Sequence, residues 1–322
     1  MASRKKQEIE LRFYEVPQGE MVLPLLGSGW IREYGNDINV LHFHNLCEIG
    51  YCIDGEGEMI FDDLVVPFEP GMLTIIPKNF PHTTKSKLHT KSYWEYLFFE
   101  PDDILNETYP DNKIFVEKIG KLVNENEQHF YAGENDEMVS IVRMIMEECR
   151  NRQNYSRECI KGLLLALVIA IARQDKGKNE QKEKALSSGE KTENMTHHSG
   201  IYHIAGALDY ITKQYMEEIR METLAACCNL SETHFRRLFV EYMNMTPVEY
   251  INLVRIQQAC ELMKKTHYSM EELAVKVGYT TVSTFNRNFR KIIVTSPYQY
   301  KKNSNSFEGK LLNLKVSAKK GW

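Results

Sequence analysis

Residues 273–300 read LAVKVGYTTVSTFNRNFRKIIVTSPYQY, and much of this pattern occurs once before, in LAACCNLSETHFRRLFVEYMNMTPVEY at 224–250. Matched positions from Phe235 and Phe285 onward are fifty residues apart. A repeat of this kind indicates one supersecondary unit that is built twice. Each copy predicts two short helices joined by a tight turn, which is the spacing of a helix-turn-helix motif.

The turn of each copy contains a residue that tolerates left-handed backbone. Gly278 is free to adopt a positive φ angle, and Asn229 stands at the equivalent place in the first copy. Thr280 or Thr281 and Ser231 can then cap the second helix of each motif. Both turns are therefore predicted to have the same geometry.

The second helix of each copy separates an apolar face from a polar face at about 100° per residue. The apolar faces hold the matched pairs Phe235 and Phe239, Phe285 and Phe289. The polar faces hold Thr233, Arg236 and Arg237 in the first copy and Ser283, Asn286, Arg287 and Arg290 in the second. These residue types can contact base edges or phosphates. One such helix could simply be solvated, but two matched copies favour contact with DNA.

From 201 to 302 the chain resembles the DNA-binding domain of the AraC/XylS family of bacterial transcription regulators, in which a long helix joins two helix-turn-helix units. The resemblance implies double-stranded DNA as the partner and, for an activator, RNA polymerase as well. The base-facing residues that it implies are Thr233, Arg236 and Arg237 in the first unit and Val282, Ser283, Asn286 and Arg287 in the second.

Three positions depart from the family pattern: Asn244 and Val294 stand where the family usually has Gly, and Lys301 replaces the usual closing Arg. A β-branched residue is poor at positive φ. We therefore expect the loop after the second recognition helix to be arranged differently.

The segment between the two copies predicts a long connecting helix. Thr246 and Glu249 form a capping box, with Pro247 at the first helical position. A rigid connector would hold the two recognition helices about 34 Å apart, one turn of DNA. The expected binding site is two adjacent major-groove segments.

A length of 322 residues suggests two domains or slightly more. The net charge of −4 hides a division: residues 1–199 hold 23 basic and 33 acidic residues, and residues 200–322 hold 17 and 11. The positive balance thus coincides with the predicted DNA-binding part.

The start of the chain does not resemble a signal peptide, the longest apolar run is too short for a membrane, and the seven cysteines form no CxxC pair. A cytoplasmic protein with reduced thiols is expected.

The N-terminal half has short apolar runs separated by Gly, Pro, Asp and Asn, a pattern typical of a small sandwich or barrel. Residues 21–110 resemble the cupin barrel: His42, His44, Glu48 and Gly55 fit its first motif and Gly71, Pro77 and His82 its second, with Asn79 replacing a Gly. The resemblance implies a pocket at His42, His44, Glu48 and His82. It could hold a transition metal, or bind a small effector such as a sugar without metal; a structural role for the histidines is the third alternative. Apart from this possible metal ion, the sequence does not predict that the protein requires a cofactor.

Four aromatic residues are candidates for stacking against a ligand in that pocket, although each would serve equally well as plain core: Trp30, Tyr51, Trp94 and Tyr96.

The remaining boundaries follow from periodicity and composition. Residues 111–173 are predicted to form helices that cover the barrel or pair in a homodimer, because the third of them is apolar on most faces. Residues 174–200 have the composition of a flexible linker, and 1–20 and 303–322 are expected to be flexible or disordered.

The predicted fold class is therefore multidomain α+β, with a cupin-like barrel followed by helices and then an all-α domain with two helix-turn-helix units. The predicted function is a sequence-specific transcription regulator controlled by a small molecule, and not an enzyme. The alternative is a metal-dependent cupin enzyme, an isomerase or dioxygenase, with an attached DNA-binding domain.

Overall fold

The computed structural model describes residues 8–12, 14, 16–17, 19–35, 40–61, 64–124, 127–188, 202–243 and 245–303. The chain divides into two compact units: the N-terminal unit is Tyr14–His197, and the C-terminal unit is His198–Trp322 grouped with Met1–Phe13. The first is rich in strands and the second is helical, as predicted.

Antiparallel strands make up the first sheet of the N-terminal unit, in the order β4-β9-β6-β7. Their bounds are Val40–His44 for β4, His82–Ser86 for β9, Gly57–Phe61 for β6 and Leu64–Phe68 for β7. Strand β1, Glu8–Arg12, precedes the unit and lies in the segment predicted to be flexible.

The second sheet has the order β11-β8-β5-β10-β2, and β3 also pairs with β10. Its strands are β2 Leu23–Leu25, β3 Ile31–Arg32, β5 Cys47–Asp54, β8 Leu73–Ile76, β10 Ser92–Phe99 and β11 Gln128–Phe130. Alternation along β5 and β10 gives this sheet two buried faces. Cys47, Ile49, Leu97 and Phe99 join a core shared with helices, whereas Trp94 and Phe98 contact the first sheet.

The two sheets pack face to face, and no strand pairing joins them among the described residues. The ring centroids of Phe68 and Trp94 are 5.1 Å apart, and those of His44 and Phe98 are 5.3 Å apart. A closed barrel is therefore not observed. The fold of these strands is the sandwich that the sequence left as the alternative.

Helices cover the outer face of the second sheet and are α1 Pro101–Thr108, α2 Lys113–Val123, α3 Asp136–Arg150 and α4 Ser156–Ser188. Two boundaries differ from the prediction, because α1 lies inside the range expected to be barrel and β11 interrupts the range expected to be helical. Helix α4 also continues to Ser188, into the segment whose composition predicted a linker. Residues 189–201 and 304–322 lie outside the described residues.

From residue 202 onward, the described residues of the C-terminal unit form these helices: α5 Tyr202–Gln214, α6 Met221–Cys227, α7 Glu232–Met243, α8 Pro247–Lys265, α9 Met270–Lys276, α10 Val282–Ile293 and α11 Pro297–Asn303. The predicted capping box at Thr246 and Glu249 is present at the start of α8. Among the described residues, none of the helices of either unit is long and apolar enough to cross a membrane.

The sequence repeat is also a repeat of packing. Phe235 and Phe239 are fully buried with ring centroids 5.5 Å apart, and Phe285 and Phe289 repeat this at 5.6 Å. Each fully buried Phe contributes about 2–3 kcal/mol through removal of apolar surface from water. The inner face of each recognition helix is thus fixed, which fixes the face that it turns outward.

Candidate functional site

Helix α7 turns the three polar residues predicted from the sequence toward solvent. Thr233, Arg236 and Arg237 are all exposed, on the side opposite the buried Phe235. Arg236 is held by Glu232, whose Oε1 accepts hydrogen bonds from Nε at 2.8 Å and Nη2 at 2.7 Å. The sequence analysis did not single out Glu232, although its spacing of four residues from Arg236 is the signal for such a pair.

Helix α10 repeats this arrangement with a different set of side chains. Ser283, Arg287 and Arg290 are exposed, while Val282 and Asn286 are half-buried. Thr281 caps the helix through a hydrogen bond from the backbone N–H of Thr284, as the sequence predicted. All eight residues predicted to face DNA therefore have access to solvent, on the second helix of each motif.

The turns confirm the predicted left-handed residues and correct one expectation. Asn229 has φ of 54° and Gly278 has φ of 85°. Val294, however, adopts φ of 63° and ends α10 as a left-handed cap residue, so the prediction of a rearranged loop there is wrong. The Val accepts the backbone conformation that a Gly would adopt. Asn244 lies outside the described residues.

In the N-terminal unit, the four polar residues predicted to line a pocket meet between the two sheets. His42 and His82 are register partners on β4 and β9, and Glu48 lies on β5 of the opposite sheet. The Oε2 atom of Glu48 lies 3.0 Å from Nε2 of His44 and 3.5 Å from Nε2 of His82. Ligand atoms of His42, Glu48 and His82 all lie within 4.8 Å of one another, whereas His44 is outside this closest set.

The ring nitrogens of two of these histidines have defined roles. Nδ1 of His44 lies 2.7 Å from the carbonyl oxygen of Leu46, and Nδ1 of His82 lies 2.9 Å from that of Phe80. A carbonyl oxygen only accepts, so each Nδ1 carries a proton. In the neutral form of either ring, Nε2 then presents a lone pair toward Glu48.

The charge of the Glu48 carboxylate favours a cation between this residue and the histidines. Burial opposes ionisation of Glu48, but the neighbouring His82 and His44 outweigh it and hold the pKa of its carboxyl well below the ordinary value. Burial also lowers the pKa of His44, which favours its neutral form. A histidine that donates one ring N–H to a backbone carbonyl and directs its other nitrogen toward a carboxylate has the geometry of a metal ligand. The residues therefore fit a transition metal ion.

The predicted stacking residues divide between two faces of the second sheet. Trp94 and Tyr96 are buried on the inner face with ring centroids 6.1 Å apart, and Trp30 lies 5.7 Å from Tyr96. Tyr51 instead packs with the helices on the outer face, so its assignment to the same wall is wrong. The indole N–H of Trp94 is buried and has no hydrogen-bond acceptor among the described residues.

An open cleft of about 850 Å³ lies elsewhere on the N-terminal unit and was not anticipated. Tyr34, Phe68 and Tyr131 line it together with charged residues that include Glu58 and Lys85. His42, His44, Glu48 and His82 are absent from the described lining. The cleft and the histidine cluster are therefore separate features of this unit.

Comparison with known proteins places the repeat in a described domain family. Residues 224–303 match the model of a helix-turn-helix domain. An uncharacterized HTH-type transcriptional regulator of Haemophilus influenzae is 24% identical over 260 residues, which cover 77% of this chain and 83% of that protein. The transcriptional regulatory protein HptR of Staphylococcus aureus is 30% identical over 99 residues, which are 31% of this chain and only 39% of that relative's length.

A solved structure similar to this chain comes from Chromobacterium violaceum and is described as a transcriptional regulator (AraC-type DNA-binding domain-containing proteins). It is 19% identical, covers 31% of this chain and 90% of that one, and has a TM-score of 0.30. The matched domain model and the relative that spans most of the chain confirm the resemblance seen in the repeat. Residues 224–303 therefore form a helix-turn-helix domain, and the chain as a whole is similar to an HTH-type transcriptional regulator.

Proposed function

We propose that this protein is a sequence-specific transcription regulator that binds double-stranded DNA through both helix-turn-helix motifs. The observation that carries the proposal is the pair of matched helices, α7 and α10, each buried on its Phe face and polar on the face exposed to solvent. The names of the similar proteins support the same function. One motif alone would not distinguish a reading face from an ordinary solvated helix.

In this proposal each recognition helix enters the major groove, and the two contact successive segments about 34 Å apart. Arg237 and Arg287 occupy matched positions of the repeat and are both exposed. Arginine can pair with the O6 and N7 atoms of guanine. The full set proposed to contact DNA is Thr233, Arg236 and Arg237 on α7 and Val282, Ser283, Asn286, Arg287 and Arg290 on α10.

The test uses DNA that the wild-type protein selects from a random pool. Arg237→Ala and Arg287→Ala should each weaken binding about 10- to 100-fold, because each bidentate contact contributes about 1–3 kcal/mol. Arg143→Ala is the matched control, since Arg143 is an exposed arginine of the N-terminal unit. Equal binding by all three variants, with circular dichroism showing intact helices, would contradict the proposal.

We further propose that the N-terminal unit is a cupin-like sensor whose ligand site includes the histidine cluster. The cluster is buried, and the Nε2 atoms of His44 and His82 both approach the carboxylate of Glu48. His42, Glu48 and His82 would hold a transition metal ion, which would supply a positive charge and an open coordination position to a small effector. The unpaired indole N–H of Trp94 supports a ligand on the same inner face, because a buried donor without an acceptor is costly.

Elemental analysis of the untagged protein tests the metal part of this proposal. About one equivalent of a transition metal is expected in the wild type and almost none in His82→Ala, with Ser92→Ala as a control at a buried polar position of the inner face. A metal-free wild type would overturn the metal and leave the cluster to bind an effector directly. A metal together with turnover of a small substrate would favour the enzyme, an alternative that the similar transcription regulators do not support.

We also propose that the protein is a cytoplasmic homodimer. If it activates transcription, it would contact RNA polymerase as well. The apolar side of α4 gives less support to a dimer than its sequence suggested, because Leu164, Leu167 and Val168 are buried within the unit itself. Leu163 and Leu165 are half-buried, and they also pack against the core of the unit. Light scattering with and without DNA would measure the oligomeric state.

A further inference from the structure

The connecting helix α8 carries three polar side chains at intervals of three residues, namely Glu249, Asn252 and Arg255. Residues three apart lie along one side of a helix. All three contact parts of the C-terminal unit outside α8. We call this set the polar stripe.

Asn252 is the middle member of the polar stripe and connects α8 to the second motif. Its Oδ1 atom accepts a hydrogen bond from the Tyr279 hydroxyl at 2.9 Å and another from Nδ2 of Asn288 at 3.1 Å. Tyr279 lies in the turn before α10, and Asn288 lies on α10 itself. Burial raises the pKa of Tyr279 to about 12, so its hydroxyl remains a donor at neutral pH. One amide oxygen therefore fixes both the turn and the recognition helix.

Arg255 connects the same turn to the segment between α5 and α6, which leads into the first motif. Its Nε donates to the carbonyl oxygen of Tyr215 and its Nη2 to that of Glu217, both at 2.8 Å. These carbonyls follow the end of α5, which packs with α6 and α7. The guanidinium carbon also lies 5.5 Å from the centroid of the Tyr279 ring. The planar fork of arginine suits two fixed acceptors, which the single ammonium group of a lysine cannot reproduce.

Gly278 allows the turn of the second motif to lie close to Tyr215 and Arg255. A Cβ atom at this position would lie 2.6 Å from the carbonyl oxygen of Tyr215 and 3.0 Å from Nε of Arg255. The turn of the second motif thus presses directly against the chain that follows α5. The connector, the turn of the second motif and the segment between α5 and α6 therefore meet at one point, which is held by hydrogen bonds as well as by apolar packing.

The orientation of two recognition helices must be accurate if both are to read bases. A rotation of roughly 6° about a junction moves a point 34 Å away by about 3.4 Å, the rise of one base pair. Apolar packing alone tolerates small rotations better than a hydrogen bond does, because hydrogen bonds weaken steeply with angle. The polar stripe supplies that angular restraint.

We propose that Asn252 and Arg255 are positioning residues for DNA recognition, which fix α7 relative to α10 and so make binding depend on the spacing between the two groove segments. This inference rests on the proposed DNA-binding function. It assigns to the connector a part in specificity that none of the base-facing residues can supply. Neither residue contacts DNA in the proposal.

The test measures binding of the full-length chain to DNA selected by the wild type, to the same DNA with one base pair inserted between the two segments, and to DNA with one segment scrambled. The variants are Arg255→Lys, which keeps the charge, and Tyr279→Phe, which removes only a hydroxyl. Arg143→Lys is the matched control on the N-terminal unit. The wild type should lose about 10-fold or more in affinity on insertion, since one segment falls out of register.

Arg255→Lys and Tyr279→Phe should bind the selected DNA several-fold more weakly, bind the inserted DNA about as well as the selected DNA, and bind the single-segment DNA as the wild type does. An equal loss on all three DNAs would mean that the residues serve only stability, and would overturn the inference. So would variants with the spacing preference of the wild type. A wild type that selects no sequence would instead refute the proposed function, and this inference with it.

A second measurement needs no DNA. Spin labels on a ketone-bearing amino acid in place of the exposed Val240 of α7 and Val275 of α9 report the distance between the two motifs. The distance distribution should be narrow in the wild type and broader in Arg255→Lys. Identical distributions would show that the polar stripe does not restrain the motifs.

Discussion

Glu232 and Arg236 lie one turn apart on the exposed side of α7, and their ion pair places a negative charge beside the proposed DNA-reading face. Exposed pairs of this kind contribute little to stability, with a median of about 0–1 kcal/mol. Their effect on recognition is larger, because the carboxylate holds the guanidinium by two nitrogens and limits the positions that it can reach. Glu232 is therefore expected to set which base Arg236 contacts.

Glu232→Gln should raise binding to random-sequence DNA about 2- to 5-fold, because it removes one negative charge facing phosphates. It should also reduce the base preference at a single position of the selected site by about 1 kcal/mol. Sequencing of DNA bound by the variant measures both effects. Glu222→Gln, an equal charge change on α6, is the control; if it altered base preference in the same way, the assignment to the Arg236 pair would be wrong.

Val294 has a left-handed backbone conformation, with φ of 63°, which is unfavourable for a β-branched residue. A left-handed backbone costs an ordinary residue about 1–2 kcal/mol, and β-branching increases the crowding. Its side chain is 87% exposed, so little packing compensates for this cost. Val294→Gly should therefore stabilise the C-terminal unit by about 1 kcal/mol net of the extra backbone entropy of Gly.

Calorimetry should show the melting temperature of that unit rising by about 4–8 °C in Val294→Gly. Val294→Ala should give a smaller gain, because Ala lacks the branched side chain but still has a Cβ. An order of stability with Val above Gly would show that the strain is compensated by contacts of the Val side chain.

At the level of elements, the sequence predicted what local chemistry determines. The capping box of α8, the Thr281 cap and the left-handed turns at Asn229 and Gly278 depend on residues close in sequence, and all are present. Strand β11 was missed because its three residues are ordered by pairing with β8, which lies far away in the chain. Helix α4 extends beyond its predicted end because Lys, Glu and Gln, which are common in flexible linkers, are also good helix formers.

The pocket shows the same division. His42 and His44 were expected on one side of a strand, and both lie near His82 as alternation requires. Tyr51 is an odd number of residues from Glu48 on the same strand, so alternation alone places it on the opposite face. The contact between His82 and Glu48, by contrast, depends on how two sheets pack, which no local pattern specifies.

Strand β10 and helix α3 are joined by an ion pair that should make the N-terminal unit sensitive to acid. Glu95 is fully buried, and its carboxylate accepts hydrogen bonds from Arg150, from the backbone N–H of Gly27 at 2.9 Å and from the Tyr93 hydroxyl at 2.7 Å. Burial raises the pKa of this carboxyl, but the three donors outweigh burial and hold the pKa below its ordinary value. The ionised form is therefore the stable one in the folded protein.

Arg150→Met should destabilise the N-terminal unit by about 1–3 kcal/mol at neutral pH, less than for a fully buried pair because Arg150 is 38% exposed. The pKa of the Glu95 carboxyl is lower in the folded protein than its value of about 4.3 in the unfolded chain. The ion pair therefore stabilises the fold above a pH of about 4.3, and this stability is lost as the pH falls through the pKa of the folded state. Melting curves of wild type and variant should thus differ most at neutral pH and converge in acid. Arg143→Met is the control on the same helix, and a difference independent of pH would contradict the assignment.

For the whole molecule, the division of charge decides how a protein with a net charge of −4 can bind DNA. Salt acts on binding through the cations that contact phosphates, so the relevant balance is the +6 of residues 200–322, from 17 basic and 11 acidic residues. With about five phosphate contacts, the logarithm of affinity should fall with the logarithm of salt concentration at a slope of about −4.5. Fluorescence anisotropy between 50 and 200 mM salt would measure this slope.

Glu137→Lys, an exposed site on α3, raises the net charge by two but adds no phosphate contact, so the slope should not change. Arg290→Gln should reduce its magnitude by about 1. A slope that follows total charge instead would mean that the N-terminal unit also contacts the DNA.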